Sequence, residues 1–139
     1  MMTVKEKKIY LQGYRKAVLS QQQIEDEIRE LQQIIVPALK MDGMPHAFGN
    51  GSDLSDYWEK IDHLMETLKK RIEKRMQIRK EIIQTIELLD DETEKLILKC
   101  RYIHFNTWEE TAEKSFASLR TVYRIHGQAL QHLKIIALE

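Results

Sequence analysis

The sequence predicts an all-α protein, a long antiparallel helical hairpin followed by a C-terminal three-helix module that contains a helix-turn-helix. Three observations carry that expectation. Apolar residues recur at helical spacing along two runs of similar length. Glycine and proline are scarce, and four of the seven (Gly43, Pro45, Gly49 and Gly51) fall in one segment between those runs. The last third of the chain is punctuated by Asp, Thr and Ser at helix-start positions.

The first helix is expected over about residues 4–36. Its seam holds Tyr10, Tyr14, Ala17, Gln21, Ile24, Ile28, Leu31 and Ile35, with steps alternating four and three, the period of a helix that packs lengthwise on another. Gly13 and the polar Gln21 are its weak points, and Gly13 predicts a bend or fraying just before it. Pro37 disfavours the helical region at the residue before it and predicts the stop. The Gly/Pro-rich segment 40–53 reads as the connecting loop. A second helix is expected over about 54–88, capped by Ser52 or Asp53. Its stripe is Leu54, Tyr57, Ile61, Leu64, Met65, Leu68 and Ile72, resuming at Ile82, Ile83 and Ile86 after the charged KRMQIRKE. There the apolar phase slips, with Met76 and Ile78 as the nearest candidates. Two helices of about 50 Å each and a single loop favour an antiparallel hairpin, residues 1–89. The seam of the first helix could serve that hairpin or a second copy of the chain, so a homodimer through the hairpin is a further expectation.

Residues 90–139 then read as three shorter helices. Asp90 and Asp91 precede Glu94 at capping-box spacing, and Leu96, Ile97, Cys100, Tyr102 and Ile103 are expected toward a core. Thr107 and Glu110 form a second box, opening a helix that ends near Lys114 or Ser115. Ser118 caps a last helix running to about Leu138, with Val122, Ile125, Ala129, Leu133, Ile136 and Leu130 buried and Arg120, Tyr123, Arg124, Gly127, Gln131 and Lys134 outward.

Charge is distributed unevenly. The chain sums to zero, yet from Lys114 to Leu138 the sequence holds Lys114, Arg120, Arg124 and Lys134 and no acid. An acid-free basic helix after a turn is the footprint that phosphate backbones attract, and a recognition helix meets base edges with its first two turns. Those positions are Ser118, Leu119, Arg120, Thr121, Tyr123 and Arg124, with Lys134 further along the outward face. Arginine pairs in two-point fashion with guanine, and hydroxyls or free amides at a helix start hold phosphate. Double-stranded DNA is the expected partner.

The run from Arg101 and Tyr102 through TWEETAEK, Ser118, Thr121, Val122 and RIHGQALQHL resembles region 4 of sigma factors. It is more closely similar to small phage proteins related to the RinA and ArpU late transcription regulators. Arg124 to Gly127, RIHG, is the most specific element, and the stretch Met44 to Asp62 extends the likeness. The resemblance implies promoter-region DNA binding, control of phage or prophage late genes, and base contacts at Ser118, Arg120, Thr121 and Arg124. Thr111, Ser115, Phe116 and Ala117 depart from the usual pattern of two large aliphatics, a glycine or asparagine, and a bulkier apolar residue. Phe116 is the most awkward, because a positive-φ turn disfavours a bulky side chain, and it is expected to fill the space that Ser115 leaves.

Other chemistries find little support. His46, His63, His104, His126 and His132 lack i, i+4 pairing or a cysteine cluster, so no metal is expected. His126 reads as a packing or phosphate-facing residue and His132 as an exposed one. No nucleophile elbow or phosphate loop is present, and neither an enzyme nor a cofactor is expected. The run Lys69, Lys70, Arg71, Lys74, Arg75, Arg79 and Lys80 is interleaved with acids and reads as a solvated face. Cys100 reads as structural. No apolar run approaches a membrane span, which predicts a cytoplasmic protein. An alternative of a different class is an interaction module that docks on RNA polymerase or another phage protein through the hairpin and the sigma-like fold.

Overall fold

The computed structural model describes residues 2–40 and 51–136, and among them every regular element of any length is helical. The order is α1 Val4–Leu11, α2 Gly13–Lys40, α3 Gly51–Glu87, α4 Glu92–Tyr102, α5 Trp108–Ser115 and α6 Leu119–His132. The predicted loop at 40–53 lies, for residues 41–50, outside the described residues. By contact the chain divides into two compact units, Met1–Ala17 with Met76–Glu139, and Val18–Arg75. The predicted boundary at 89/90 falls inside the first of these.

α1 and α2 are one helical run interrupted at Gln12, immediately before Gly13 as expected. Thr3 starts it with a complete capping box to Glu6. The Gln12 amide still bonds Lys8 and its carbonyl still accepts from Lys16, so the chain bends without losing its ladder. The run does not stop at Pro37, which lies inside α2. Proline this close to a helix end removes few following bonds, and the ring is exposed. α3 likewise begins at Gly51, which puts Ser52 and Asp53 inside the helix instead of at its cap.

Burial follows the heptad seam. On α2 Tyr14, Ala17, Ile24, Ile28 and Ile35 are buried, and Gln21 and Leu31 are half-buried between them. On α3 the seam runs without a slip through Leu54, Tyr57, Ile61, Leu64, Leu68, Arg71, Arg75, Ile78, Ile82, Thr85 and Leu89, all buried or half-buried, while Met76 is 59% exposed. The seam is not broken at the charged stretch, but Ile86, one position off it, is fully buried, so toward the end of α3 the buried face widens to take in Ile82, Thr85 and Ile86, as the resumed stripe predicted. Polar residues occupy the seam in the charged stretch, with stems that lie along apolar surface. In the unit 18–75 the Arg71 guanidinium donates to the Ser20 carbonyl at 2.7 Å, and residues 27–31 line one groove with residues 56–64, so the two helices run antiparallel. In the other unit Tyr10 and Thr85 hydroxyls meet at 3.2 Å. Arg71 and Arg75 thus leave the solvated face assigned to them, while the lysines of that run stay exposed.

The rest of the first unit is built around α4. Asp91 caps it by accepting from the Glu94 amide, but the box is not closed, because the Glu94 carboxylate is buried and engages His132 Nδ1 instead. Ile97, Leu98, Cys100 and Ile103 face the core, Tyr102 is half-buried, and Leu96 turns outward at 39% exposure, contrary to expectation. α6 ends at His132, six residues short of the expected Leu138. Lys7 Nζ donates to the carbonyls of Leu130 (3.0 Å) and Gln131 (3.3 Å), taking up the open end of the helix. Beyond it the backbone is extended at Leu133 (φ −65°, ψ 130°), so inward positions alternate: Leu133 and Ile135 are buried and Ile136 is 64% exposed.

Gln21 is the weak seam position. Its amide nitrogen bonds Glu25, but its buried Oε1 has no partner among the described residues. Gln21→Leu is expected to stabilise the protein by about 1 kcal/mol, read by urea denaturation, since it removes an unpaired acceptor and completes the apolar seam. A loss of stability would contradict this account of the seam.

Candidate nucleic-acid interface

The local sequence fixes both ends of α5. Thr107 Oγ1 accepts from the Glu110 amide at 3.1 Å and Glu110 Oε1 accepts from the Thr107 amide at 3.3 Å, the complete box that the spacing predicts. These bonds hold the Glu110 carboxyl below its ordinary pKa. Thr111 and Ser115, where large aliphatics were expected, satisfy themselves: Thr111 Oγ1 donates to the Thr107 carbonyl and Ser115 Oγ to the Thr111 carbonyl, each at 2.8 Å. Thr111 is consequently fully buried with its hydroxyl bonded.

α5 terminates in a Schellman motif. The Ala117 amide bonds the Ala112 carbonyl at 3.0 Å, the Phe116 amide bonds that of Glu113 at 3.3 Å, and Phe116 takes the left-handed conformation (φ 54°, ψ 40°). The apolar contact that accompanies such a motif falls to Ala117, which packs on the cluster of Ile97, Ala112 and Val122. Phe116 is thereby turned out and is 98% exposed. It does not fill space beside Ser115; the inward position falls to Ala117.

Ser118 then caps α6, accepting from the Thr121 amide at 3.2 Å and donating to Thr121 Oγ1 at 2.9 Å. Val122, His126, Ala129 and Leu130 face inward, and Ile125 is half-buried against the same cluster. Leu119 (38%) and Tyr123 (49%) are exposed, as are Ser118, Arg120 and Arg124, while Thr121 is half-buried. Arg120 and Arg124 stand one turn apart, and neither forms an ion pair or hydrogen bond among the described residues. Lys134 is exposed too, but it lies in the extended segment after α6 and is not on the helix face where it was expected. The acids nearest in sequence, Glu109, Glu110 and Glu113, belong to α5 and leave α6 free of negative charge.

His126 is the residue whose role the sequence left open, and it is a packing group. Its Nε2 lies 2.8 Å from the Tyr102 hydroxyl, its ring stacks on that of Tyr102 at 5.8 Å, and Trp108 meets it edge-on at 5.0 Å. Burial, followed by the charges of Lys8 and Arg101, lowers its pKa to about 4, so the ring that hydrogen-bonds the Tyr102 hydroxyl is neutral. Burial also raises the Tyr102 pKa, which keeps that hydroxyl a donor. On the outer side of Trp108 the Arg101 guanidinium sits 3.9 Å from the ring, and Tyr123 packs against the same indole at 4.9 Å. Arg101 also donates to the Asn106 carbonyl at 2.7 Å. Asn106 in turn receives Lys114 Nζ at Oδ1 and donates to Glu110, which removes Lys114 from the pool of free cations. None of these supports was visible as a motif, although Trp108 at the first position of a helix opened by a capping box was a signal that could have been weighed.

Gly127, the last residue of RIHG, has open space where a Cβ would stand, so no close approach demands glycine there. Cys100 is buried and burial pushes its thiol pKa up, away from reactivity. His46 lies outside the described residues, and among those described no three His, Cys, Asp or Glu side chains converge as a metal site would need. No described helix is long and apolar enough to cross a membrane. No protein-family model, curated protein or solved structure matches the chain.

The folded protein binds a proton at His126 less readily than the unfolded chain, so stability rises with pH between about 4 and the ordinary value of 6.5 and is fully present above it. Acidification from pH 7 to 4 is expected to remove on the order of 3 kcal/mol through this group, and His126→Gln flattens that part of the urea-midpoint profile; an unchanged profile in the variant would refute the assignment. Phe116→Gly relieves a left-handed side-chain conformation at an exposed site and is expected to stabilise the fold by about 0.5–1 kcal/mol, whereas Phe116→Val costs at least ~1 kcal/mol, both read by thermal melting.

Proposed function

We propose that this chain is a sequence-specific, non-enzymatic DNA-binding transcriptional regulator that reads promoter or operator DNA with the outward face of α6. The observation that carries the reading is the pair of exposed, unengaged guanidiniums of Arg120 and Arg124, one turn apart on a helix without acids and directly after a tight turn. A helix of that kind fits the major groove, where arginine pairs with guanine O6 and N7. Leu119 is suited to a thymine methyl and the Tyr123 phenol, braced by Trp108, to a phosphate or base edge. Ser118 and Thr121 bond each other, so they act by ordering the start of α6, whose first amides and dipole favour a phosphate oxygen. Lys134, off the helix, is assigned to the phosphate backbone. The likeness to the RinA and ArpU regulators makes phage or prophage late genes the proposed targets and the cytoplasm the proposed compartment.

A second reading, docking on RNA polymerase or another phage protein, is favoured by one observation: Phe116, almost wholly exposed in a strained conformation beside α6, is a costly residue to leave in water. The two readings separate by selecting genomic fragments from the source on immobilised protein. Reproducible enrichment of one sequence is expected, and Arg120→Ala with Arg124→Ala weakens binding to it by about 2–6 kcal/mol at moderate salt. Undiminished affinity removes the assigned face. Absence of any enriched sequence, with Phe116→Ser abolishing capture of purified polymerase, transfers the function to the second reading.

A further inference from the structure

Within the unit Val18–Arg75 the apolar residues outside the inward seam of α3 form a row, and the other exposed apolar residue of the helix, Met76 (59%), falls at a similar angle but belongs to the other unit. Trp58 (46% exposed), Met65 (50%) and the half-buried Ile72 are spaced by seven, and at 100° per residue they occupy one stripe, about 70° around the helix from the inward seam of Ile61, Leu64 and Leu68. The exposed apolar residues of α2, Leu19, Ile34 and Val36, make no comparable row. All three residues of the stripe belong to the unit Val18–Arg75.

The row is symmetric about its centre. Trp58 and Ile72 are equidistant from Met65, so a copy of the helix turned end for end about Met65 sets the indole of one chain on the isoleucine of the other, twice. The charges along the stripe are antisymmetric about the same point. Asp62 and Lys69, both exposed, sit between the apolar residues on opposite sides of the centre, and the end-for-end copy brings each within reach of the other's counterpart. Further out on the same flank the exposed Glu59 precedes Met65 and the exposed Lys70 follows it. A parallel copy instead aligns acid with acid and base with base. Glu66 and Glu73 break the pattern and leave it with a single cross-pair of each sense next to the stripe.

We propose that this face of α3 is an antiparallel self-association surface, its occupant the same face of a second copy with Met65 at the two-fold axis. The inference specifies a face for the homodimer expected from the hairpin, and it needs no DNA, so it stands or falls apart from the nucleic-acid reading. The full chain is expected to sediment as a monomer–dimer equilibrium over about 5–500 µM. Met65→Glu weakens the dimer at least ~10-fold, while Leu19→Glu leaves it unchanged and circular dichroism reports equal helix content in both. Asp62→Lys and Lys69→Asp each weaken it, and the double variant restores it. Under oxidation Met65→Cys links to itself, and Trp58→Cys links to Ile72→Cys in a mixture more readily than to itself. A monomer throughout that range, a dimer indifferent to Met65→Glu, or preferential Trp58→Cys self-linkage overturns the proposal.

Discussion

At the centre of the C-terminal helices an uncharged imidazole holds three elements at once. His126 on α6 hydrogen-bonds the Tyr102 hydroxyl of α4 and meets Trp108 of α5 edge-on, and burial keeps its ring neutral. Arg101 contributes in two ways: its guanidinium lies over the Trp108 ring, and its charge disfavours the imidazolium. Tyr123 completes the stack from the exposed side. The direction in which α6 presents Arg120 and Arg124 therefore depends on a polar core contact whose members come from three helices, and a charged His126 would leave a buried cation among apolar and cationic neighbours.

The two ends of α6 are treated in opposite ways. Its C-terminal carbonyls are taken by Lys7, from the first helix of the chain, and its last residue is tied to the buried carboxylate of Glu94. Its N-terminal end is closed only by Ser118 and Thr121 and is otherwise open to solvent. Cations at a helix C-terminus and an open N-terminus both follow the helix dipole, so the same polarity that stabilises the anchored end leaves the free end ready for an anion. The N-terminal seventeen residues thus belong to the structure of α6 even though more than a hundred residues separate them in sequence.

How much of this was legible varies with the kind of signal. The seam of α2 could be read residue by residue because seven of its eight positions are apolar or aromatic. The seam of α3 was misread where Arg71 and Arg75 occupy it, since an apolar pattern cannot register a side chain that buries its stem and keeps its charge bonded, as Arg71 does at the Ser20 carbonyl. Caps at Thr107 and Ser118 were legible because they are local. The partner of Glu94 was not, because His132 lies 38 residues away and capping spacing offered a nearer use for the carboxylate. The end of α6 was hidden by Leu133, Ile135 and Ile136, which satisfy helical and extended patterns equally until Lys7 decides between them. Phe116 was read as awkward in a positive-φ turn, and it does occupy that left-handed position, but its destination depended on Ala117 taking the inward position, a matter of which of two adjacent residues the motif turns inside.

Electrostatics connects the recognition face to self-association. On the proposed reading one chain offers Arg120, Arg124 and Lys134 as the cations unengaged on or just after α6, within a molecule of zero net charge. Three phosphate contacts correspond to a log–log salt slope of about −2.7, so affinity falls only ~40-fold between about 50 and 200 mM salt, and the binding that such a slope accompanies is weak. Contacts that Arg120 and Arg124 make to base edges lower the count further while raising selectivity. Two chains joined through α3 double the slope to about −5.4 and the salt effect to ~2,000-fold over the same range, and convert the second contact into an intramolecular one. On the proposed reading, a recognition face with three unengaged cations gains affinity when two copies act together, and the salt slope then counts how many chains sit on the DNA.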